Sequence, residues 1–395
     1  MTNRGSVIRC LAGSAAALFC VALPALAQEA GDGQPADGLD WSIALRGGFS
    51  TDNVNGPSYE AIIAPDLSLV RSGERGQTSA GLGGAASIDQ NRNVRIDDAH
   101  ANAGIDYALD EWTGLKGSLG LDLTQLKATD SSLPAGTLTG PLEFTGTAEG
   151  SATRRLGRFD LTGTLTGTRF IEGPTTLADH SQVSNADQGY WQGIGALRLG
   201  FEVTPLLSVF VEGDEGYQKF DAPSPSLGRF LDGRTTTLRG GVSYADPGTF
   251  TAEASVGRAW LDYADPALTD RPAWVGEASL SFTPDETLAL TGALETSLGP
   301  SSDTPGDTDL GYSLTGEAKY IVNPWLTLRG SAGANRTLTL GSGAIDWGYS
   351  AGAGLDWSSS RHVVWSADYL FTHDESSSAG TTDTHAVTVG MTLRR

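Results

Sequence analysis

Three places in the chain carry residue types that could move protons or hold an ion. His373-Asp374 lies close in sequence to Asp383 and His385. If these segments are facing strands of one hairpin, imidazole and carboxylate meet at its rim, where such a pair can activate water. Hydrolysis of that kind needs a second acidic pair on an opposite wall, and none is identifiable. Asp179-His180-Ser181 contains an acid, a base and a hydroxyl. Three consecutive loop residues cannot easily face one another as nucleophile, base and orienting group must. Asp303, Asp307 and Asp309, with Gly306, offer oxygen ligands to calcium but lack EF-hand spacing. No G-x-S-x-G elbow, H-E-x-x-H helix or phosphate loop occurs. These groups read as solvated loop and rim residues. The expectation is no enzyme, with no catalytic, cofactor or metal site.

The N-terminus reads as an export signal. Arg4 and Arg9 precede an apolar run from Leu11 to Leu23, too short to span a bilayer comfortably. Ala25-Leu26-Ala27 is a cleavage site, with Gln28 the first mature residue. Residues 1–27 are thus expected to be a signal peptide, and 28–40 a short disordered periplasmic leader. Both cysteines, Cys10 and Cys20, fall in the signal. The mature chain can therefore form no disulfide and hold no thiolate metal site. Lys and Arg number 26 against 47 Asp and Glu. An acidic balance gives no footprint for nucleic acid and disfavours polyanionic partners.

From Trp41 onward the apolar residues recur with a period of two. Ile345, Trp347, Tyr349, Ala351, Ala353, Leu355 and Trp357 alternate with Asp346, Gly348, Ser350, Gly352, Gly354 and Asp356. Leu115, Leu119, Leu121 and Leu123 stand against Lys116, Ser118, Asp122 and Thr124. Strands of about 10 to 15 residues are longer than those of soluble sandwiches and suit a tilted crossing of a bilayer. Tight turns such as Asp110-Glu111-Trp112, Asp246-Pro247-Gly248 and Asn323-Pro324-Trp325 alternate with longer polar loops, near 51–58, 127–141, 173–187, 339–344 and 375–382 among others. Short turns alternating with longer loops is the pattern of an outer-membrane barrel. The spacing predicts an all-β, antiparallel up-and-down transmembrane barrel over 41–395, of 18 strands, with 16 as the alternative.

The last segment, His385 to Arg395, looks like the final strand read by the barrel-assembly machinery, although it ends in arginine where such barrels usually end in an aromatic residue. With the export signal and the strand starts Thr204-Pro205 and Asn323-Pro324, the chain resembles the uncharacterised families of outer-membrane β-barrel porins over nearly all of 41–395. The resemblance implies location in the bacterial outer membrane and passage of solutes. It also permits export of surface polysaccharide.

Two sets of residues follow from the alternation. The polar face, taken as the lumen, presents Lys116, Asp122, Glu149, Arg198, Glu202, Glu212, Asp214, Glu253, Glu277, Glu295, Glu317, Lys319, Arg329, Asp346, Asp356 and Asp368. Trp41, Trp112, Trp191, Trp274, Trp325, Trp347, Trp357 and Trp365 are expected in the aromatic girdles at the two membrane interfaces. Acids outnumber bases on the polar face, which favours cations. The expectation is a passive channel for small hydrophilic solutes with a weakly cation-leaning lumen. The alternatives are a polysaccharide conduit or a non-conducting surface barrel. The loops, read as about fifteen residues at most, promise only modest constriction, and none is long enough to specify an oligomer.

Overall fold

The computed structural model describes residues 38–54, 56–130, 133–134, 136–301, 306–377 and 380–395. The expected signal peptide, its Ala27–Gln28 cleavage point and residues 28–37 of the leader lie outside these. In chain order the strands are β1 (Gly38–Asp52), β2 (Gly56–Gly73), β3 (Gly76–Asp89), β4 (Val94–Asp110), β5 (Thr113–Gln125), β6 (Thr137–Thr139) and β7 (Leu142–Leu156). Then follow β8 (Phe159–Glu172), β9 (Thr175–Leu177), β10 (Gln182–Val183), β11 (Tyr190–Thr204), β12 (Leu207–Phe220), β13 (Gly233–Asp246) and β14 (Phe250–Tyr263). The last are β15 (Arg271–Phe282), β16 (Leu288–Pro300), β17 (Thr308–Asn323), β18 (Leu326–Leu340), β19 (Ile345–Ser360), β20 (Val363–Ser376) and β21 (Gly380–Arg394). Every consecutive pair in the main sheet is antiparallel, and β21 returns to pair with β1, so 18 strands close a barrel. The 16-strand alternative is excluded. No helix among the described residues is long and apolar enough to cross a membrane.

The strand starts and stops follow local chemistry. At the tight-turn end, Asp110 and Asn323 accept the backbone N–H of the residue two further on, which fixes the turns before Thr113 and Leu326. Asp246-Pro247-Gly248 turns on a proline followed by a left-handed glycine (φ 83°), the requirement of a type II turn. At the other end the expected loops 51–58, 339–344 and 375–382 are shorter than their polar sequences suggest, because strand pairing continues to Asp52↔Gly56, Thr308↔Leu340 and Ser376↔Gly380. β1 likewise begins at Gly38 rather than Trp41. Leu39 pairs with Leu69, so residues 38–40 belong to the barrel and not to the leader. The long loops connect strands between β5 and β17. Two of them zip together as a separate three-stranded sheet, β6, β9 and β10. Beneath the loops Tyr190, Phe220 and Leu231 pack with Phe170 and Leu268 at the mouth.

The wall departs most from uniform pairing between β15 and β16. β15 and β16 pair only from Phe282↔Leu290 up to Glu277↔Glu295. Above that rung Arg271–Gly276 remain paired to β14, and Thr296–Pro300 to β17, but not to each other. Residues 307–310, at the start of β17 in the β16–β17 hairpin, instead lie inside the barrel, against the inner face of β14 and β15. Tyr263 of β14 donates its hydroxyl to the carbonyl of Asp307 (2.6 Å). Leu261, Ala259, Ala273 and Val275, which face inward on β14 and β15, are buried, as are Thr308 and Leu310 of the outward face of the hairpin. Here the barrel is two layers thick.

Candidate functional site: the charged lumen

Alternation assigns each side chain to a face. Leucines such as Leu119, Leu165 and Leu314 are exposed on the outside, where lipid replaces water. All nine tryptophans are on the outer surface or in turns. Trp41, Trp112, Trp325, Trp357 and Trp365 lie toward the tight-turn end, and Trp357 pairs with Trp365. Trp191, Trp260, Trp274 and Trp347 lie toward the loop end.

The polar residues named from the sequence share the opposite, inner face. Arg198 of β11 makes a bidentate pair with Glu253 of β14 (2.7 and 2.7 Å) across two intervening strands, and reaches Glu212 of β12 at 3.9 Å. Its guanidinium stacks on Phe210, 3.5 Å from the ring centre. Arg239 of β13 bonds Glu212 (2.6 Å), pairs with Glu277, and lies 3.8 Å from Asp214. Glu295 is close enough to feel the Arg239 charge. Two arginines thus serve the carboxylates of Glu212, Asp214, Glu253, Glu277 and Glu295. Farther round the wall Arg329 of β18 is shared by Asp356 (2.8 Å) and Asp368 (2.8 Å). Glu149 and Glu317 face inward with no ion-pair partner among the described residues, and Lys319 pairs in register with Arg329. Toward the tight-turn end Arg155 pairs with Glu202, and Lys116 with Asp106 (3.2 Å). Asp122 sits in register with His100. Asp346 faces inward but is buried at the mouth, where it accepts the Ser377 N–H.

Glycine lets these side chains lie flat. A Cβ at Gly354 would overlap the Asp368 carboxylate and press on the Arg329 guanidinium, and one at Gly241 would overlap the Phe210 ring. A Cβ at Gly83 would stand 2.7 Å from both Asp66 Oδ2 and His100 Nε2. The charges therefore run along the wall instead of projecting across the passage. From the loop end, Lys127 reaches Glu60 of β2 (3.5 Å), and Asp130 comes near enough to Asp374 of β20 for their charges to interact. The loop after β5 thus crosses part of the mouth and narrows it more than its length suggests.

Arg239, His100, Asp66 and Arg155 join this inner face beyond the residues expected from the sequence. Arg239 was legible, since it alternates with Leu238 and Val242 on a long strand. The tucked hairpin had no such signal.

The other candidate residues are placed elsewhere. His373, Asp383 and His385 face outward. His373 bonds Asp383 (2.6 Å) and stacks on Tyr349 at 4.7 Å, and His385 bonds the Tyr369 hydroxyl (2.8 Å). Ser181 gives its hydroxyl to Asp179 (2.5 Å), and His180 holds a left-handed turn (φ 64°). Asp303 lies outside the described residues. Asp309 accepts the Thr339 hydroxyl (2.7 Å), and Asp307 the Ser342 N–H (3.1 Å), so both acids hold the tucked hairpin to β18 and its loop. No group of three or more potential metal ligands exists among the described residues.

A closed barrel of 18 long strands, with aromatic residues outside at both ends and charge within, defines an outer-membrane barrel of the porin class. The chain belongs to the family described as putative beta-barrel porin 2, whose profile matches residues 43–395. No curated protein matches the sequence. Among solved structures it is similar to OccK5 (OpdH) of Pseudomonas aeruginosa, at 12% identity over 90% of this chain and 98% of that one, with a TM-score of 0.43. It is also similar to OccAB4 of Acinetobacter baumannii, at 9% identity over 92% and 99%, with a TM-score of 0.42. A mutant of the ferric enterobactin receptor PfeA of Pseudomonas aeruginosa aligns at 7% identity over 92% and 81%, with a TM-score of 0.48.

Proposed function

We propose that the protein is a passive outer-membrane channel for small hydrophilic solutes, with a lumen that prefers cations and no catalytic step. One observation carries this reading: Arg198, Arg239 and Arg329 are each shared by two or more carboxylates, so pairing there leaves acid in excess. Rings of acidic side chains draw cations and repel anions. Eighteen strands leave room for a water-filled passage. The threonines and serines between the charges, such as Thr162, Thr164, Thr166 and Thr168 on β8, offer small hydroxyls to a hydrated solute.

The test is conductance of the refolded full barrel in a planar bilayer. The proposal expects steady, ohmic steps that persist at either polarity. Silence from protein shown to be folded by its heat-dependent mobility on a gel contradicts it.

A further inference from the structure

A charged side chain on the outer face of a barrel is costly unless an opposite charge meets it there. Four cations face outward toward the loop end of β8–β14. Arg169 and Lys219 are in register with Trp191, Arg234 with Tyr217, and Arg258 with Trp274. Two are neutralised in place. Arg169 gives Asp221 two hydrogen bonds (2.9 and 2.6 Å), and Arg234 gives one to Glu215 (2.6 Å). Lys219 and Arg258 have no ion-pair partner among the described residues. Lys219 is one residue from the end of β12 and can extend to water. Arg258 lies deeper, five residues before the end of β14. Its guanidinium is 5.6 Å from the centre of the Trp274 ring, and Trp260 stands two residues along the same face. Asp262, the next outward acid on that strand, is in register with Arg234 instead. Arg258 is thus an unmatched cation among the girdle tryptophans.

Next to it the outer wall is hollow. Leu238, in register with Arg258, and Trp260 end an apolar groove of about 1210 Å³ that crosses eight strands to Ile105 and Tyr107 of β4. Gly213, Gly195, Gly163, Gly150 and Gly117 lie along it between Leu197 and Leu165. A Cβ at Gly150 or Gly163 would meet nothing within 4 Å, and neither has a left-handed backbone, so barrel packing does not call for glycine there. The groove follows the strand register. It leaves β14 three residues from its loop end and reaches β4 three residues from its tight-turn end. It therefore descends through the bilayer from Arg258, as the chains of an outer-leaflet lipid descend from their head.

We infer that this face binds a phosphorylated lipid of the outer leaflet. The phosphate pairs with the Arg258 guanidinium, whose planar fork suits it, and an acyl chain lies in the groove. Charge complementarity selects this occupant: the groove alone would take any alkyl chain, but the cation at its upper end is left without an acid of the protein. Glu215, which borders the groove, is held by Arg234 and so opposes the phosphate less. The site lies outside the passage, so it stands or fails independently of conductance.

The test is native mass spectrometry of the refolded full-length barrel in detergent micelles, with bis-phosphorylated lipid A titrated in. Dephosphorylated lipid A and phosphatidylcholine are the competitors. The parent should retain lipid A in preference to both. Arg258→Gln should weaken that retention about tenfold, as loss of one hydrogen-bonded charge does. The double variant Gly150→Leu, Gly163→Leu, which fills the groove and leaves every charge in place, should weaken it as well. Arg336→Gln removes an outward cation in register with Trp347, away from the groove, and should change nothing. Heat-dependent mobility on a gel checks that each variant is folded, and the arginine and glycine variants test the site separately. Retention that is equal with and without the phosphates overturns the proposal. So does retention that neither Arg258→Gln nor the leucine variant alters. A dimer that the leucine variant abolishes, with no lipid bound, would assign the groove to a second copy of the chain and overturn it too.

Discussion

At the scale of single residues, the lumen is governed by how few bases are asked to serve many acids. Arg239 is the clearest case, because it is largely buried beside Glu212, Asp214 and Glu277. Removing one partner of a buried ion pair strands the other, at about 3–5 kcal/mol when burial is complete. Glu277 is nearly half exposed (45%), so Arg239→Gln should cost less, about 2 kcal/mol, measurable as a lower midpoint in urea-dependent unfolding from vesicles. The same substitution should increase cation preference, since the carboxylates keep their charge. A fall in cation preference would show that they do not face the permeant ions. Alternation alone puts the named polar residues on one face of their strands, but Arg239, His100, Asp66 and Arg155 on the same face were passed over. Partners were not legible, because Arg198 finds Glu253 across two intervening strands, a distance set by how the side chains lie over the wall.

At the scale of elements, strands and turns were legible and loops were not. Period-two alternation marks a strand wherever one face meets lipid and the other water, and Asx turns mark its end. The loop after β8 carries no such pattern, so neither its pairing with the loop after β5 nor the apolar cluster below could be read. The mouth is also fastened by charge. Arg229 and Asp265 join two loops at 2.7 Å. The Asp265 carboxyl is held below the usual carboxylate range by the Ala267 backbone N–H and by Arg229. A carboxyl whose pKa is lower folded than unfolded stabilises the folded loop above its unfolded value, about 3.9, and loses that contribution as pH falls through the lower folded value. Protease resistance of the loops 221–232 and 264–270 should therefore be flat from neutral pH down to about pH 4 and decline only below it. Asp265→Asn should weaken it throughout. A decline beginning near pH 6 would assign the fastening to another group.

At the scale of the whole molecule, the fold solves one problem, closing a sheet in lipid, and the proposed function rests on the charged passage that it encloses. Closure itself was visible in an even number of long strands with short turns at one end. The β15–β16 fork was not, because its residues alternate as well as any others. Only Pro272 and Pro300 hinted that the ladder stops there. The central claim is that the enclosed passage is open and lined by net negative charge. The most direct measurement is the reversal potential of the reconstituted barrel in a gradient of potassium chloride. The account predicts a potential of the sign that marks potassium as the more permeant ion, shrinking as salt rises and screens the wall. A potential of the opposite sign, or none at low salt, would contradict it.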